Sequence, residues 1–425
     1  GKYGLQDISR DFDTASVFEH VRKTRQYVYN EADQPAIYEK MGITVEFGYA
    51  HFNDNHSLTI EGNGTSRTVS SKYIIIAAGS RAIIPPVKGL DDVGYLTNET
   101  IFELNKIPHR LIIIGGGPVG TEMSQAFCRL GSKVVVIDKN PHILAKDDFS
   151  LTEILKENLE KEGIRFLMKT DVHDISETNG TIRLHVTTGG INDTVEGDAL
   201  LVAAGRGPRL DRLNLNAANV KTYSRGIEVD KHGRTSAKNI YACGDVTGKF
   251  QLTHMSEHTA KTAAVHALLK LPYRIDEKHI VWATYTDPEL AHVGATRGQL
   301  DRNEVSYKRY RFPYNKIDRA IAENEVTGWI HIYAGERSGK ILGVDILGER
   351  AGDMISEYAL AMKNGISLRK IADTIHPYPT YGLGVRRAAD QWYVQRQSVG
   401  LIRVVQKLFG YRGLLPDLSD KERIV

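Results

Sequence analysis

The segment HRLIIIGGGPVGTEMSQAFCRLGSKVVVIDKN (109–140) admits few folds. Leu111 to Ile114 form a short continuous apolar run of the kind buried on both faces of a parallel sheet. Gly115, Gly117 and Gly120 follow at GxGxxG spacing. Next come Val119, Met123, Ala126, Phe127 and Leu130 at helical intervals, then a second apolar run, KVVVID, that ends on Asp138. Strand, glycine turn, helix, strand and acid in that order make a βαβ dinucleotide-binding unit. The first glycine permits the tight turn, the second lets a pyrophosphate approach the backbone, and the third lets the helix pack closely on the strand. The helix then points its unbonded N–H groups at the phosphates. Asp138, 18 residues after Gly120, stands near the spacing of about 20 expected for the carboxylate that binds the adenine ribose. Its charge favours the 2′-hydroxyl of NAD(H); the adjacent Lys139 leaves NADP(H) open.

At 425 residues and roughly 150 per domain, the chain holds two to four domains. No apolar run approaches the 18 or so residues that would span a bilayer, so no transmembrane segment is expected. Lys and Arg number 55 against 52 Asp and Glu, evenly spread, which leaves no electrostatic case for nucleic acid and points to small-molecule ligands. Only Cys128 and Cys243 are present, which excludes a disulfide framework and favours a reducing, cytoplasmic setting. Each reads as a small buried hydrophobe.

Residues 16–41 carry a loose helical stripe at Val17, Val21, Val28 and Ala32 that Pro35 interrupts. A strand at TVEFGYAHF (44–52) and a hairpin precede KYIIIAAGS (72–80), a buried strand that ends on small residues and so suits close approach of a ligand. From 108 onward LIIIG, KVVVID and DALLVAAG alternate with helical stretches, the pattern of a parallel sheet covered on both faces. A second such pattern ends at NIYACGD (239–245). Beyond about 280 the amphipathic strands TGWIHIYAG and GKILGVDILG and the helix AGDMISEYALAMKNG read as α+β. In the tail SVGLIRVVQKLFGYRG (398–413), Leu401, Val404, Val405 and Leu408 share a helical face, with Arg403, Lys407 and Arg412 off it. Packing on its own domain or a partner subunit, or lying on a membrane interface, both fit that stripe. His254 and His258, with Glu257 between them, have metal-pair spacing, but the expectation is a structural role and no metal.

The landmarks AAGSRAIIP (77–85), the fingerprint, AAGRGP (203–208), IYACGDVTG (240–248), TDPELAHVG (286–294) and HPYPT (376–380) run in order. In them the chain resembles the flavoprotein pyridine nucleotide-disulfide oxidoreductases, from about residue 16 to 397, and especially the branch of mercuric reductase and dihydrolipoamide dehydrogenase. The resemblance implies an α/β fold of two Rossmann-like domains plus a C-terminal α+β dimerisation domain, FAD as cofactor beside NAD(P)H, and a homodimer. The FAD domain, incomplete at its N-terminus, would span 1–106 and 206–279, the nicotinamide domain 107–205, the interface domain 280–397 and the tail 398–425. It also implies that Ala77, Ala78 and Gly79 lie near the flavin, that Asp245 after Gly244 binds its ribityl chain, and that Gly205 and Arg206 sit beside the nicotinamide nucleotide. Without the resemblance, Gly244–Asp245 is an ordinary strand-end turn. Glu122 matches a family glutamate that pairs with a lysine near the flavin; it is equally a first-turn acid on the helix dipole.

The chain departs from the family in two ways. A first GxGxxG, the CxxxxC redox pair and the lysine partner of Glu122 are missing, and the opening GKYGLQD, without Met, is expected to reflect removal of an upstream segment. In YPTYGL (378–383), Tyr378 and Leu383 stand where the disulfide reductases of the family carry a His base and its orienting Glu, and His376 lies two positions upstream. An unperturbed tyrosine titrates near ~10, too high for a base at neutral pH. The expected function is therefore hydride transfer from NAD(P)H to FAD and on to a small non-thiol acceptor, with Tyr378 shaping the acceptor site across the dimer interface. The alternatives are a disulfide reductase whose CxxxxC lies upstream of Gly1, and a nucleotide-binding dimer without turnover that serves as scaffold or redox sensor.

Overall fold

In the computed structural model, residues 13–62 and 64–418 are described. The fingerprint unit is a four-stranded parallel sheet in the order Ala199–Val202, Arg110–Ile114, Lys133–Asp138, Arg165–Met168. Ile112, Ile113, Val136, Leu200 and Leu201 are buried between the layers, as continuous apolar runs require. Helices Pro118–Arg129 and Phe149–Lys161 make the first two crossovers. The third differs from the strand–helix alternation expected after 108. Strands Thr170–Thr178, Thr181–Thr188 and Ile191–Gly197 form an antiparallel meander instead. Its inward residues Ile175, Ile182, Leu184, Val186 and Val195 pack on Ile112, Ile114 and Val202, doing the covering work of a helix.

The fingerprint helix also departs from its expected stripe. It buries Gly120, Thr121, Ser124, Gln125 and Phe127, whereas Val119, Met123 and Leu130 are half-buried and Ala126 is exposed. Phe127 packs with Leu111, Ile113, Val134 and Val136 of the sheet, Thr121 and Ser124 are buried while bonding to Gly116 O and Thr121 O, and Gln125 is buried against Glu162 and Asp287.

Flanking this unit, Ile74–Ile76 and Ile240–Ala242 run parallel to each other, their ends brought together by Ile74↔Ile240 to Ile76↔Ala242 pairing. Phe52, Ile74, Ile76, Leu215, Ile227, Ile240 and Val246 form their core. The antiparallel strands Tyr49–Phe52, Ser57–Gly62 and Thr65–Ser70 lie beside them, so the strand expected over 44–52 begins only at Tyr49. Upstream, helix Thr14–Val28 passes through a π turn at Tyr29–Asp33 into Pro35–Lys40, with Pro35 at the new helix's first turn, where its missing N–H costs nothing. Of the expected stripe, Val28 and Ala32 are exposed; Phe18 is the buried contact, its ring 6.4 Å from that of Phe127.

The C-terminal module is a five-stranded antiparallel sheet ordered Val281–Thr284, Glu289–Gly294, Ile341–Gly348, Trp329–Ala334, Lys308–Pro313. Alternation along Glu289–Gly294 sends Ala291 and Val293 toward helices Ala351–Lys363 and Gly382–Val394, and Leu290 toward the fingerprint unit, where it joins Leu347, Leu111 and Phe127 in one cluster. Polar groups share this seam. Trp282 Nε1 donates to Asp147 at 2.7 Å, its ring stacks on His292 at 4.0 Å, and His292 Nδ1 meets Asp345 at 2.5 Å. Tyr333 Oη donates to Asp148 at 3.0 Å. Among the described residues no helix is long and apolar enough to cross a membrane.

Candidate functional site

At the C-terminal ends of the parallel strands, the three fingerprint glycines each meet the demand placed on them. Gly115 has φ +117°, and a Cβ there would stand 2.3 Å from Ala203 O. A Cβ on Gly120 would stand 1.8 Å from Gly115 O, so helix and turn touch through backbone. At Gly117 no atom lies within 4 Å of a Cβ position, so the space in front of the helix N-terminus is open at that point. Asp138 closes the loop from the next strand. Its Oδ2 accepts the Gly116 N–H at 2.6 Å and its Oδ1 accepts the backbone and side chain of Asn140 at 2.7 and 2.9 Å. A carboxylate offers about four acceptor sites, so one remains for a ribose hydroxyl. Lys139 turns away to Asp171, 3.8 Å off.

The second constellation joins residues far apart in sequence. Ala77, Ala78 and Gly79 follow Ile74–Ile76, and Gly244 and Asp245 follow Ile240–Ala242, so the parallel pairing sets the two segments side by side. Gly79 and Gly244 both have φ +70°. Ser80 Oγ donates to Asp245 Oδ2 at 2.5 Å, and Arg206 Nε donates to Ser80 Oγ at 2.9 Å while lying 3.6 Å from the same carboxylate oxygen. Arg206 reaches this point because Arg206–Pro208 pairs antiparallel with Ser80–Ala82 immediately after Gly205. Gln251 donates to Arg206 O at 3.0 Å, and the Gly244 N–H donates to Thr259 Oγ1 at 3.0 Å. Sequence reasoning named Ala77–Gly79, Gly205, Arg206, Gly244 and Asp245 but missed Ser80, Gln251 and Thr259. Ser80 adjoins AAG, and that adjacency was the available signal. The cluster offers what a flavin's polyol chain needs: a carboxylate whose Oδ1 has no hydrogen bond among the described residues, backed by a fixed cation and approached over glycine backbone.

On its outer side the fingerprint helix holds the C-terminal module. Glu122 accepts the Tyr285 N–H at 2.8 Å, Gln125 exchanges two hydrogen bonds with the backbone of Asp287 at 2.8 and 2.7 Å, and Arg129 reaches the Asp287 carboxylate at 2.8 Å. Burial raises the Glu122 carboxyl above the usual range, partly offset by the Tyr285 N–H. Glu122 therefore fastens the 285–287 loop, a role neither of its sequence readings included.

The C-terminal segment contains no His–Glu pair at 378 and 383. Tyr378 is 71% exposed and Leu383 is buried in the core. His376 is held by Glu357 at 3.0 Å and by Thr374 O at 3.0 Å. Tyr378 shares no hydrogen bond with the Ser80–Arg206–Asp245 cluster within one chain among the described residues. His254 contacts Val281 O at 2.7 Å and His258 accepts the Asp276 N–H at 2.9 Å, so this pair ties down the 276–281 connection. Among the described residues no group of three metal-ligating side chains occurs. Cys243 is buried and Cys128 only partly so, short of the full burial expected. Burial raises both thiols, with Glu162 adding to the effect at Cys128.

Comparison with known proteins agrees with this geometry. The family model described as pyridine nucleotide-disulphide oxidoreductase matches residues 5–260, and that of its dimerisation domain matches 280–389. The chain is 33% identical over 387 residues to a mercuric reductase of Lysinibacillus sphaericus, covering 91% of this chain and 70% of that one. It is 32% identical over 355 residues to a dihydrolipoyl dehydrogenase of Staphylococcus aureus, covering 82% and 74%. Of a Bacillus cereus mercuric reductase it spans 54%. Among solved structures, the flavoprotein disulfide reductase RclA of Escherichia coli superposes with a TM-score of 0.82 at 25% identity, over 89% of this chain and 85% of that one. LpdA of Mycobacterium tuberculosis has the same fold, with a TM-score of 0.83 over 91% and 84%. The chain belongs to the pyridine nucleotide-disulphide oxidoreductase family, whose members are FAD-dependent NAD(P)H oxidoreductases.

Proposed function

We propose that this protein, as a cytoplasmic homodimer, takes hydride from NADH, or from NADPH, onto FAD and delivers the electrons to a small acceptor that is neither thiol nor disulfide. FAD, when bound, supplies the two-electron relay between nicotinamide and acceptor. The domain division of the sequence reading follows: 1–106 and 206–279 for the flavin, 107–205 for the nicotinamide nucleotide, 280–397 for dimerisation. Gly115, Gly117 and Gly120 take the pyrophosphate and Asp138 the ribose. Ala77, Ala78, Gly79, Gly244 and Asp245 border the flavin. Gly205 and Arg206 stand between the two nucleotides, Arg206 tied to Asp245 through Ser80. Glu122 anchors the 285–287 loop, which sets the dimerisation module against the nucleotide site.

The C-terminal segment supports the non-thiol acceptor. A thiol–disulfide exchange needs a base near the sulfur and a group that orients it. Here the matching positions hold Tyr378, which is exposed, and Leu383, which is buried, so neither a base nor its orienting acid stands at them. Tyr378 shapes the acceptor site by stacking and by donating its hydroxyl. The test is NADH oxidation by flavin-loaded protein against a panel of quinones, dioxygen, lipoamide and glutathione disulfide. Turnover confined to the disulfides overturns the proposal.

The names of the matched relatives favour a second reading, disulfide reduction through a CxxxxC outside residues 1–425. Titration after NADH reduction separates the two, because this reading requires two additional thiols per flavin. A scaffold or redox sensor binds NADH without catalytic oxidation, and the same assay distinguishes it.

A further inference from the structure

Asp138 is held by more donors than its orientation needs. The Gly116 N–H binds Oδ2 at 2.6 Å and the Asn140 N–H binds Oδ1 at 2.7 Å, a backbone donor on each oxygen. Both donors are themselves fixed. Gly116 lies in the fingerprint turn, where its carbonyl accepts the Leu144 N–H at 2.8 Å, and Asn140 O accepts the N–H of Lys169, just past the neighbouring strand Arg165–Met168, at 2.9 Å. The Asn140 side chain then adds a further contact, Nδ2 to the same Oδ1 at 2.9 Å. A carboxylate only accepts, so it is the amide nitrogen that faces it. Asn140 is exposed, and the other N–H and the carbonyl of its amide have no hydrogen bond among the described residues.

Because backbone already orients the carboxylate, the side-chain contact mainly occupies it. Oδ1 carries both Asn140 donors and Oδ2 carries Gly116, which leaves one of about four acceptor sites for a ribose that presents a pair of adjacent hydroxyls. The diol engages both oxygens only when the Asn140 amide withdraws. A 2′-phosphate has the opposite need. It takes a donor, which the idle Asn140 N–H offers, and it is repelled by Oδ1, which the amide covers. Lys139 is available to it as well, since its 3.8 Å pair with Asp171 joins side chains 77% and 63% exposed and is worth little. We infer that Asn140 sets the choice between the two nucleotides, competing with the ribose diol for Asp138 and so blunting the preference for NADH over NADPH. This rests on the reading that Asp138 takes the adenine ribose.

The experiment is titration calorimetry of the full chain with NAD+ and with NADP+, which carry the ribose groups of the reduced nucleotides and give no hydride to oxidised protein. Asn140 is exposed and lies outside the left-handed backbone region, so its backbone accepts Ala without strain. Asn140→Ala is expected to bind NAD+ about twofold to tenfold more tightly, the worth of one hydrogen bond, and NADP+ more weakly by a similar factor. In a chain already carrying Asp138→Ala, the same change leaves NAD+ affinity where it was. Weaker or unchanged NAD+ binding by Asn140→Ala, an equal shift for both nucleotides, or the same tightening without Asp138 overturns the inference. If Asp138→Ala alone binds NAD+ like the parent, the ribose reading fails and the inference with it. If that variant binds NAD+ poorly while Asn140→Ala matches the parent, the inference alone fails.

Discussion

Replacing Asp147 with Asn should make this protein more stable at neutral pH. Asp147 sits in the seam between the fingerprint unit and the dimerisation sheet, accepting Trp282 Nε1 at 2.7 Å. Burial pushes its carboxyl up from 3.8 to about 6; the Trp282 hydrogen bond and His292 pull the other way, while Asp345 adds to the rise. The folded state therefore binds this proton more tightly than the unfolded chain does. Its ionisation costs nothing below the unfolded value, and the penalty grows through the interval up to about 6 and is complete above it. At about 1.4 kcal/mol per tenfold change in affinity, the ionised carboxylate costs the fold up to about 3 kcal/mol at pH 7.5. Asn keeps the carbonyl that accepts from Trp282 and cannot ionise. Urea unfolding from pH 4 to 8 should show Asp147→Asn more stable than the parent by up to about 3 kcal/mol at pH 7.5, with the gap closing toward pH 4. A variant less stable at pH 7.5, or a gap independent of pH, refutes the reasoning. Either result means that the charge is compensated by His292 and is holding the seam together.

Gly120→Ala places a Cβ 1.8 Å from Gly115 O and should cost about 3 kcal/mol or more. Gly117→Ala meets no protein atom, so it should melt like the parent yet raise KM for NADH; thermal melts beside NADH kinetics check the contrast. Asp138→Ala removes a charged acceptor from Gly116 and from the ribose. KM for NADH should rise roughly tenfold to a hundredfold, with NADPH much less affected. Asp245→Ala leaves Ser80 and Arg206 without their carboxylate, and flavin absorbance per protomer after gel filtration should fall. Tyr378→Phe should leave flavin reduction by NADH unchanged in stopped flow and lower kcat/KM for the acceptor by up to about tenfold.

Much of the geometry of the candidate nucleotide site was legible because its causes are local. GxGxxG, the strand before it and Asp138 after it lie within 28 residues, and Gly115 and Gly120 are each required by a contact to backbone, Gly115 across the sheet and Gly120 a few positions away. Ser80 and its partners were not legible, since Ser80 lies 165 residues from Asp245 and 126 from Arg206 and only strand pairing brings them together. The buried residues of the fingerprint helix misled for a related reason. An apolar stripe predicts burial against side chains, but Thr121 and Ser124 are buried while bonding to backbone carbonyls, and Gln125 is buried against Asp287 and Glu162. The antiparallel meander at 170–197 was hidden by the expectation that parallel strands are joined through helices. Its own alternation, as in TIRLHVTT, carried the correct signal. Gln125 was the most informative residue left unread, a buried amide on a helix, whose partners had to lie elsewhere.

The fingerprint helix faces the nucleotide with its N-terminus and grips the 285–287 loop with Glu122, Gln125 and Arg129 along its length. It behaves as a strut with the glycine turn at its tip and the C-terminal module bolted to its flank. Tilting the strut strains the bolts, and loosening the bolts frees the tip. A change made at the glycine turn will thus register in the seating of the C-terminal module, and a change made in that seating will register at the turn.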